Sequence, residues 1–289
     1  MKWVYKFIFF ILRGISILPL KILYIMSDIF FVFLYHVFKY RRMVVRENLI
    51  NSFPQMSENE IINIEKKFYL FFCDWFMEQI KFITISQHEI QARFRFADTA
   101  YLDKYYTNKK SFICVLGHFG NWEWAAPAFD LLQLHQLYII YKPLSNKYFD
   151  SFMQQVRTRF HARLIPMAQT YKYMKQHESG VNATVFVGDQ TPAPENATWV
   201  NFLNQDTAVY KGTEAIAKKL NIPVLYLSIY RPQRGYYLAH LQLICEVPQD
   251  TEDGYITQTH TQMLEKDIFT QPEIWLWSHK RWKHKRNNQ

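Results

Sequence analysis

In the stretch SFICVLGHFGNWEWAAPAFD, Ser111 to Asp130, a histidine stands five residues before a glutamate. A neutral imidazole that gives one ring N–H to a carboxylate is oriented and made more basic, and its other nitrogen can take a proton from a hydroxyl. His118 as general base and Glu123 as its carboxylate is the pairing these residue types suggest, and it suits acyl transfer to an alcohol. The plain alternative is a histidine bridging a turn, with Glu123 a favourable acid in the first turn of a helix.

The pair needs particular elements around it. Ser111 to Leu116 is apolar, rich in β-branched residues and too short for an ordinary helix, so it reads as a buried strand; Trp122 to Leu132 has helical character. Two residues five apart on one helix point roughly 140° apart, so His118 and Glu123 converge more easily if His118 precedes the helix. Gly117 and Gly120 give the intervening turn its freedom.

Beyond Arg93 the sequence alternates. Short apolar runs at Phe112 to Leu116, Leu137 to Tyr141, Thr184 to Val187, Val224 to Tyr230 and Tyr236 to Glu246 are separated by helical segments at Trp122 to Leu132, Asn146 to Phe160 and Thr213 to Leu220. The expected fold class is α/β, a mixed sheet flanked by helices. Before it, Ser57 with Glu60 forms a capping box that opens an amphipathic helix to Phe82, whose aromatic stripe is expected in the core.

The N-terminus is different again. From Trp3 to about Phe38 it is strongly apolar, interrupted only at Lys6, Arg13, Lys21 and Asp28, so no run reaches the ~18 apolar residues of a clean transmembrane helix. At ~100° per residue the four charges occupy an arc of roughly 80°, which leaves a wide apolar face suited to a membrane-embedded or interfacial helix. Pro19 is expected to divide the region into helices Lys2 to about Ile17 and Pro19 to about Lys39. No small-residue cleavage site follows, which argues against a signal peptide. The expected organisation is a membrane-anchoring segment over 1–40 and a catalytic domain over 41–289, with Lys39, Arg41, Arg42 and Arg46 on the cytoplasmic side.

The net charge of +9 calls for an anionic partner, and an aromatic content of 18% favours a membrane interface. The C-terminal WLWSHKRWKHKR, Trp275 to Arg286, combines both tendencies and fits an interface with anionic lipid; a single-stranded nucleic-acid groove uses the same residue types, though no recognition-module signature accompanies them, and the tail alone does not decide. Cys73, Cys114 and Cys245 are isolated in apolar surroundings and read as buried thiols, with no metal-ligand spacing. Arg157, Arg159 and Arg163 close a helical segment where a planar guanidinium could hold phosphate or an oxyanion; favourable charge at a helix end is the alternative. Asp189 follows a strand and Gly188, at the sheet edge where α/β proteins bind ligands, and could bind the acceptor or an arginine, or shape a turn. Glu214 reads equally well as a first-turn acid.

The segment GHFGNWE resembles the H-x4-D/E motif of the lysophospholipid acyltransferase superfamily, and specifically of the late acyltransferases of lipid A biosynthesis. RRMVVRENLINSFP, RTRFHARLIPM, TVFVGDQTP and FLNQDTAVYKGTEAIAKKLNIPV resemble that family in the same order over nearly the whole chain. His161 stands where many relatives carry glycine. The resemblance implies acyl transfer from acyl-acyl carrier protein to a hydroxyl of a phosphorylated glycolipid, a lipid A precursor, at the cytoplasmic face of the inner membrane. It favours Arg159 and then Arg157 as substrate-binding residues; Asp189 and, within the motif, Gly120 and Asn121 complete the binding set. No metal or organic cofactor is expected beyond the carrier-bound acyl group. The competing readings are the same chemistry on a lysophospholipid, an aminolipid or a glycosylated phosphoinositide, and a noncatalytic membrane-anchored protein that binds anionic lipid.

Overall fold

The computed structural model describes residues 2–177 and 180–286. In chain order the elements are α1 (Lys2–Ile17), α2 (Leu20–Phe31) continuing into a π-helical turn (Val32–Val37), α3 (Arg42–Ser52), α4 (Glu58–Phe82), α5 (Gln87–Arg93), β1 (Phe94–Phe96), α6 (Ala100–Thr107), β2 (Phe112–Leu116), α7 (Trp122–Asp130), β3 (Gln136–Tyr141) and α8 (Lys147–Arg157). There follow β4 (Arg163–Pro166), α9 (Thr170–Gln176), β5 (Asn182–Val187), β6 (Ala197–Phe202), β7 (Gln205–Tyr210), α10 (Gly212–Leu220), β8 (Val224–Gln233), β9 (Tyr236–Cys245) and α11 (Tyr255–Thr270).

Seven strands form one mixed sheet in the order β1-β9-β8-β2-β5-β3-β4, parallel throughout except for the β8–β9 hairpin; β6 and β7 form a separate antiparallel pair. Strand β2 is buried at all five positions, as its unbroken apolar sequence requires of a central strand covered on both faces. The α/β expectation therefore holds, and helices flank the sheet. Short or polar strands carry no legible period: β1, β4 and the β6–β7 hairpin had no counterpart in the sequence reading.

The Ser57 capping box is formed, with Ser57 Oγ accepting from Glu60 N–H and the Glu60 carboxylate accepting from Ser57 N–H. Phe68, Tyr69, Phe71 and Phe82 of α4 are buried, as an aromatic core stripe demands. Glu214 caps a different helix from its own: its carboxylate accepts from Gly254 N–H at 2.6 Å and Thr257 N–H at 2.9 Å, closing the start of α11. The three cysteines are buried and free.

Pro19 separates α1 from α2. The helix Leu20–Val37 is long and apolar enough to cross a membrane, with mean hydropathy 1.6, and 28% of it is buried against the protein. Beside it α1 exposes Trp3 (79%), Phe7 (64%) and Phe10 (75%), a surface no water-facing helix needs. The opposite side of α2 is joined to the body by polar contacts. Tyr24 Oη donates to Glu78 at 2.8 Å and Ser27 Oγ to Asp74 at 2.7 Å, both acids lying on α4. Arg231 and Arg234 of the β8–β9 hairpin bind Asp74 from the other side, Arg234 also reaching Asp28, and Tyr237 Oη donates to Glu78 at 2.7 Å.

At the end of α7, Asp130 has its carboxyl pushed up to about 6 by burial, against the partial relief of His161. A raised acid destabilises the fold above its native pKa, and the penalty disappears below the unfolded value near 3.8. Asp130→Asn is therefore expected to raise the thermal unfolding midpoint at pH 8, the gain shrinking as pH falls through 6; a gain independent of pH would contradict this.

Candidate active site

His118 and Asp189 are brought together by strand register. β2 and β5 are parallel neighbours with Leu116 opposite Val187, and each strand is followed by a glycine and then the polar residue, so both side chains emerge side by side at the carboxyl edge. Gly188 N–H donates to Leu116 O at 3.0 Å, carrying the pairing one residue past the strands. Asp189 then holds His118 twice: Oδ1 lies 2.5 Å from the ring Nδ1, and Oδ2 accepts the His118 backbone N–H at 2.8 Å. Trp275 Nε1–H donates to the same Oδ2 at 2.8 Å.

Burial alone would raise the Asp189 carboxyl, but the facing His118 ring and the hydrogen bonds from His118 and Trp275 outweigh it and hold the group well below the usual carboxylate range. In the neutral tautomer that gives its N–H to Asp189 from Nδ1, Nε2 carries a lone pair. The Gln190 amide nitrogen lies 3.2 Å from Nε2, consistent with an acceptor there. The arrangement can take a proton from a bound hydroxyl.

The expected His118–Glu123 pairing is replaced by this one. Glu123 lies in the first turn of α7, and its carboxylate takes two hydrogen bonds from Arg157 at the end of α8, one of them from Nε at 3.0 Å. The fork-to-fork contact commits both groups to each other. They still share a wall with His118, since all three line one cavity of about 800 Å³.

At the carboxyl edge of the sheet the cavity is lined by His118, Gln190 and the exposed Lys142 and Lys211. It runs between the sheet and α7, past Leu116, Cys114 and Ala125, to Phe129, Phe112 and Phe96. Its volume falls in the ~300–1,000 Å³ range of ligand sites, and its deep lining is apolar. A hydrocarbon chain satisfies such a lining; a polar group would be stranded there.

Of the five residues expected to bind substrate, Arg157 alone lines the cavity. Asp189 stands behind His118. Arg159 donates to Phe82 O at 3.1 Å and Ile85 O at 2.6 Å, satisfying the last carbonyl of α4 and one in the loop after it, so it acts as a helix cap. Asn121 is fully enclosed: Oδ1 accepts from Trp124 N–H at 3.1 Å to cap α7, and Nδ2 donates to Glu78 at 2.6 Å. Gly120 has φ +61°, and a Cβ there would stand 2.8 Å from Ile229 Cγ2. Gly120→Ala is expected to cost about 2 kcal/mol or more, through left-handed strain and overpacking, and thermal unfolding reads it. His161 adopts φ +76°, a conformation that favours the glycine expected there.

The C-terminal segment turns Trp275 and Trp277 inward and leaves Lys280, Lys283, Lys285 and Arg286 exposed. Trp275, Trp277 and Arg281 are buried, Gly120 N–H donates to Ile274 O, and Leu276 N–H donates to His118 O, so this segment straps the catalytic turn. Asn48 of α3 fastens it from behind, its Nδ2 reaching Trp277 O at 2.9 Å and His279 O at 3.0 Å, while Arg42 and Arg46 bind Glu65. Trp275, Gln190, His260, His279 and Arg281 are site components the sequence reading missed. Trp275, His279 and Arg281, aromatic and basic residues in one short run, carry no sign of burial, and no spacing links Gln190 or His260 to His118.

Residues 1–284 match the model of the family described as bacterial lipid A biosynthesis acyltransferase. No curated protein shows a significant match to the chain. A family match over nearly the full length, on a fold that sets a histidine–aspartate pair at the mouth of an apolar cavity, leads to one assignment: the chain belongs to the bacterial lipid A biosynthesis acyltransferase family, and is an acyltransferase of lipid A biosynthesis.

Proposed function

We propose that the protein is a membrane-associated O-acyltransferase that moves a fatty acyl group from acyl-acyl carrier protein to a hydroxyl of a lipid A precursor. The observation that carries this reading is the largely apolar cavity lined by His118, which can hold a thioester carbonyl near the base while its chain is buried.

In the proposed reaction the acceptor O–H gives its proton to Nε2 as the oxygen attacks the thioester carbonyl carbon. Asp189 stabilises the imidazolium through Nδ1–H. The tetrahedral intermediate collapses by breaking the C–S bond, and the departing thiolate takes the proton from Nε2–H, leaving an ester and a free carrier thiol. No side-chain nucleophile is needed, and no metal or organic cofactor enters. Glu123 and Arg157 act as one unit in the cavity wall, and the exposed Lys142 and Lys211 at the mouth suit an anionic substrate or the acidic carrier protein.

The exposed apolar face of α1 and α2 supports a location among two-tailed lipids, with residues 1–40 as the proposed anchor at the inner membrane. The basic residues Lys39, Arg41 and Arg42 after that region favour a cytoplasmic site, where the carrier-borne donor is found. The test is transfer of a radiolabelled acyl group from acyl-acyl carrier protein to a panel of acceptors in detergent micelles. Transfer to a tetra-acylated lipid A precursor supports the reading. Transfer only to a lysophospholipid or aminolipid would change the acceptor, and transfer to none would sink the assignment.

A further inference from the structure

Arg281 is among the largest fully buried side chains, 2% exposed, and its Nε and Nη1 have no hydrogen-bond partner among the described residues. A guanidinium only 2% exposed, with the N–H of Nε and both N–H bonds of Nη1 unpaired, is costly, so its retention needs a reason. It lines one small buried cavity together with Asp189 and His260. We propose that Arg281 is a positioning residue of the catalytic pair: its permanent charge, enclosed beside Asp189, is the counter-charge that lets Asp189 stay ionised while His118 is neutral and ready to accept a proton. The inference rests on the assignment of His118 as the general base.

The other groups around the pair do not supply that charge from an enclosed position: Lys142 and Lys211 are exposed, where water screens them. From α11, His260 is pushed down to about 4 by burial, against the pull of Asp189. From the C-terminal strap, His279 is likewise lowered by burial to about 4, with its Nε2 3.2 Å from Thr191 Oγ1, and Trp275 offers a neutral indole. From β8, Tyr226 contributes a hydroxyl already given to Asp267 at 2.8 Å, and from β7, Tyr210 stands near Arg281 and carries no positive charge. After β5, Gln190 is neutral. Across the cavity, Arg157 is committed to Glu123. Arg281 is lowered by burial only to about 10, so it remains charged at neutral pH. Without it, the set formed by Asp189 and His118 regains neutrality only by keeping a second proton, and a protonated His118 is no base.

The test reads the proton on His118 without any acyl substrate. The rate of carbethoxylation of His118 by diethyl pyrocarbonate, followed on its peptide by mass spectrometry, rises as the ring becomes neutral. In Arg281→Gln the half-rise is expected to move up by about one pH unit or more, and in Arg281→Lys to stay near the wild-type position. An unmoved half-rise in a folded Arg281→Gln protein would overturn the proposal. Should Arg281→Gln be too unstable to titrate, the comparison is with the double variant Asp189→Asn, Arg281→Gln. If Arg281 serves the charge of Asp189, removing both charges restores a higher unfolding temperature than removing the arginine alone; if it serves only packing, the double variant is no more stable, and the proposal fails. Because neither readout needs acyl transfer, failure here is distinguishable from failure of the proposed reaction, which the acceptor panel tests.

Discussion

His118→Ala is expected to lower kcat for acyl transfer by about 10³-fold, the range lost with a general base, and Asp189→Asn by a comparable factor because an asparagine can hold the imidazole in the wrong tautomer. Glu123→Gln is expected to lose less than either. Its carboxylate holds Arg157, and the amide can still accept one of the two hydrogen bonds. Single-turnover rates at saturating donor separate the chemical step from binding. Should Asp189→Asn retain activity within about tenfold while Glu123→Gln falls as far as His118→Ala, the carboxylate assisting His118 in the reaction is Glu123 and not the one that touches it here.

The second large effect concerns the donor chain. Ala125 of α7 lines the cavity midway between His118 and the aromatic end formed by Phe129, Phe112 and Phe96. Ala125→Phe fills space a long acyl chain would occupy. Excluding about three methylenes at ~0.8 kcal/mol each forfeits roughly 2.4 kcal/mol, or about 50-fold in kcat/KM for long donors. Short donors, which do not reach that depth, keep their rate. The check is kcat/KM across donors of increasing chain length: a uniform loss at every length would mean damage to the fold, and no loss at any length would mean the chain lies elsewhere.

Much of this architecture was legible because it is local. The strand Phe112 to Leu116, the capping box at Ser57, the break at Pro19 and the helix from Trp122 each follow from a few neighbouring residues. The active pair was legible only in halves. His118 and Asp189 were each placed after a strand and a glycine, but their meeting depends on β5 lying between β2 and β3, and no period in the chain states which strands are neighbours. The parallel phrasing of Leu116-Gly117-His118 and Val187-Gly188-Asp189 was the available signal. Proximity in sequence favoured Glu123 instead, and the end of α8 claimed it. Arg159 and Asn121 illustrate the same limit: both are polar residues beside the motif, yet Arg159 reaches Phe82 O and Asn121 reaches the Glu78 carboxylate, both on α4, which folding, not spacing, brings near.

The contacts under α2 bear on how the enzyme can be handled. A hydrophobic leader that merely tethers could be cut away to give a soluble enzyme, but here Tyr24 and Ser27 satisfy carboxylates at the centre of the body, and Asp28 shares Arg234 with one of them. Glu78 in turn receives the side chain of Asn121, three residues after His118. A protein shortened by its first forty residues would expose Asp74 and Glu78 on a face made to be covered, and loosen the cap that begins the helix after the catalytic turn. Purification is thereby tied to amphiphiles that can shelter the intact N-terminus, and an inactive truncated protein would say nothing about where its substrates bind.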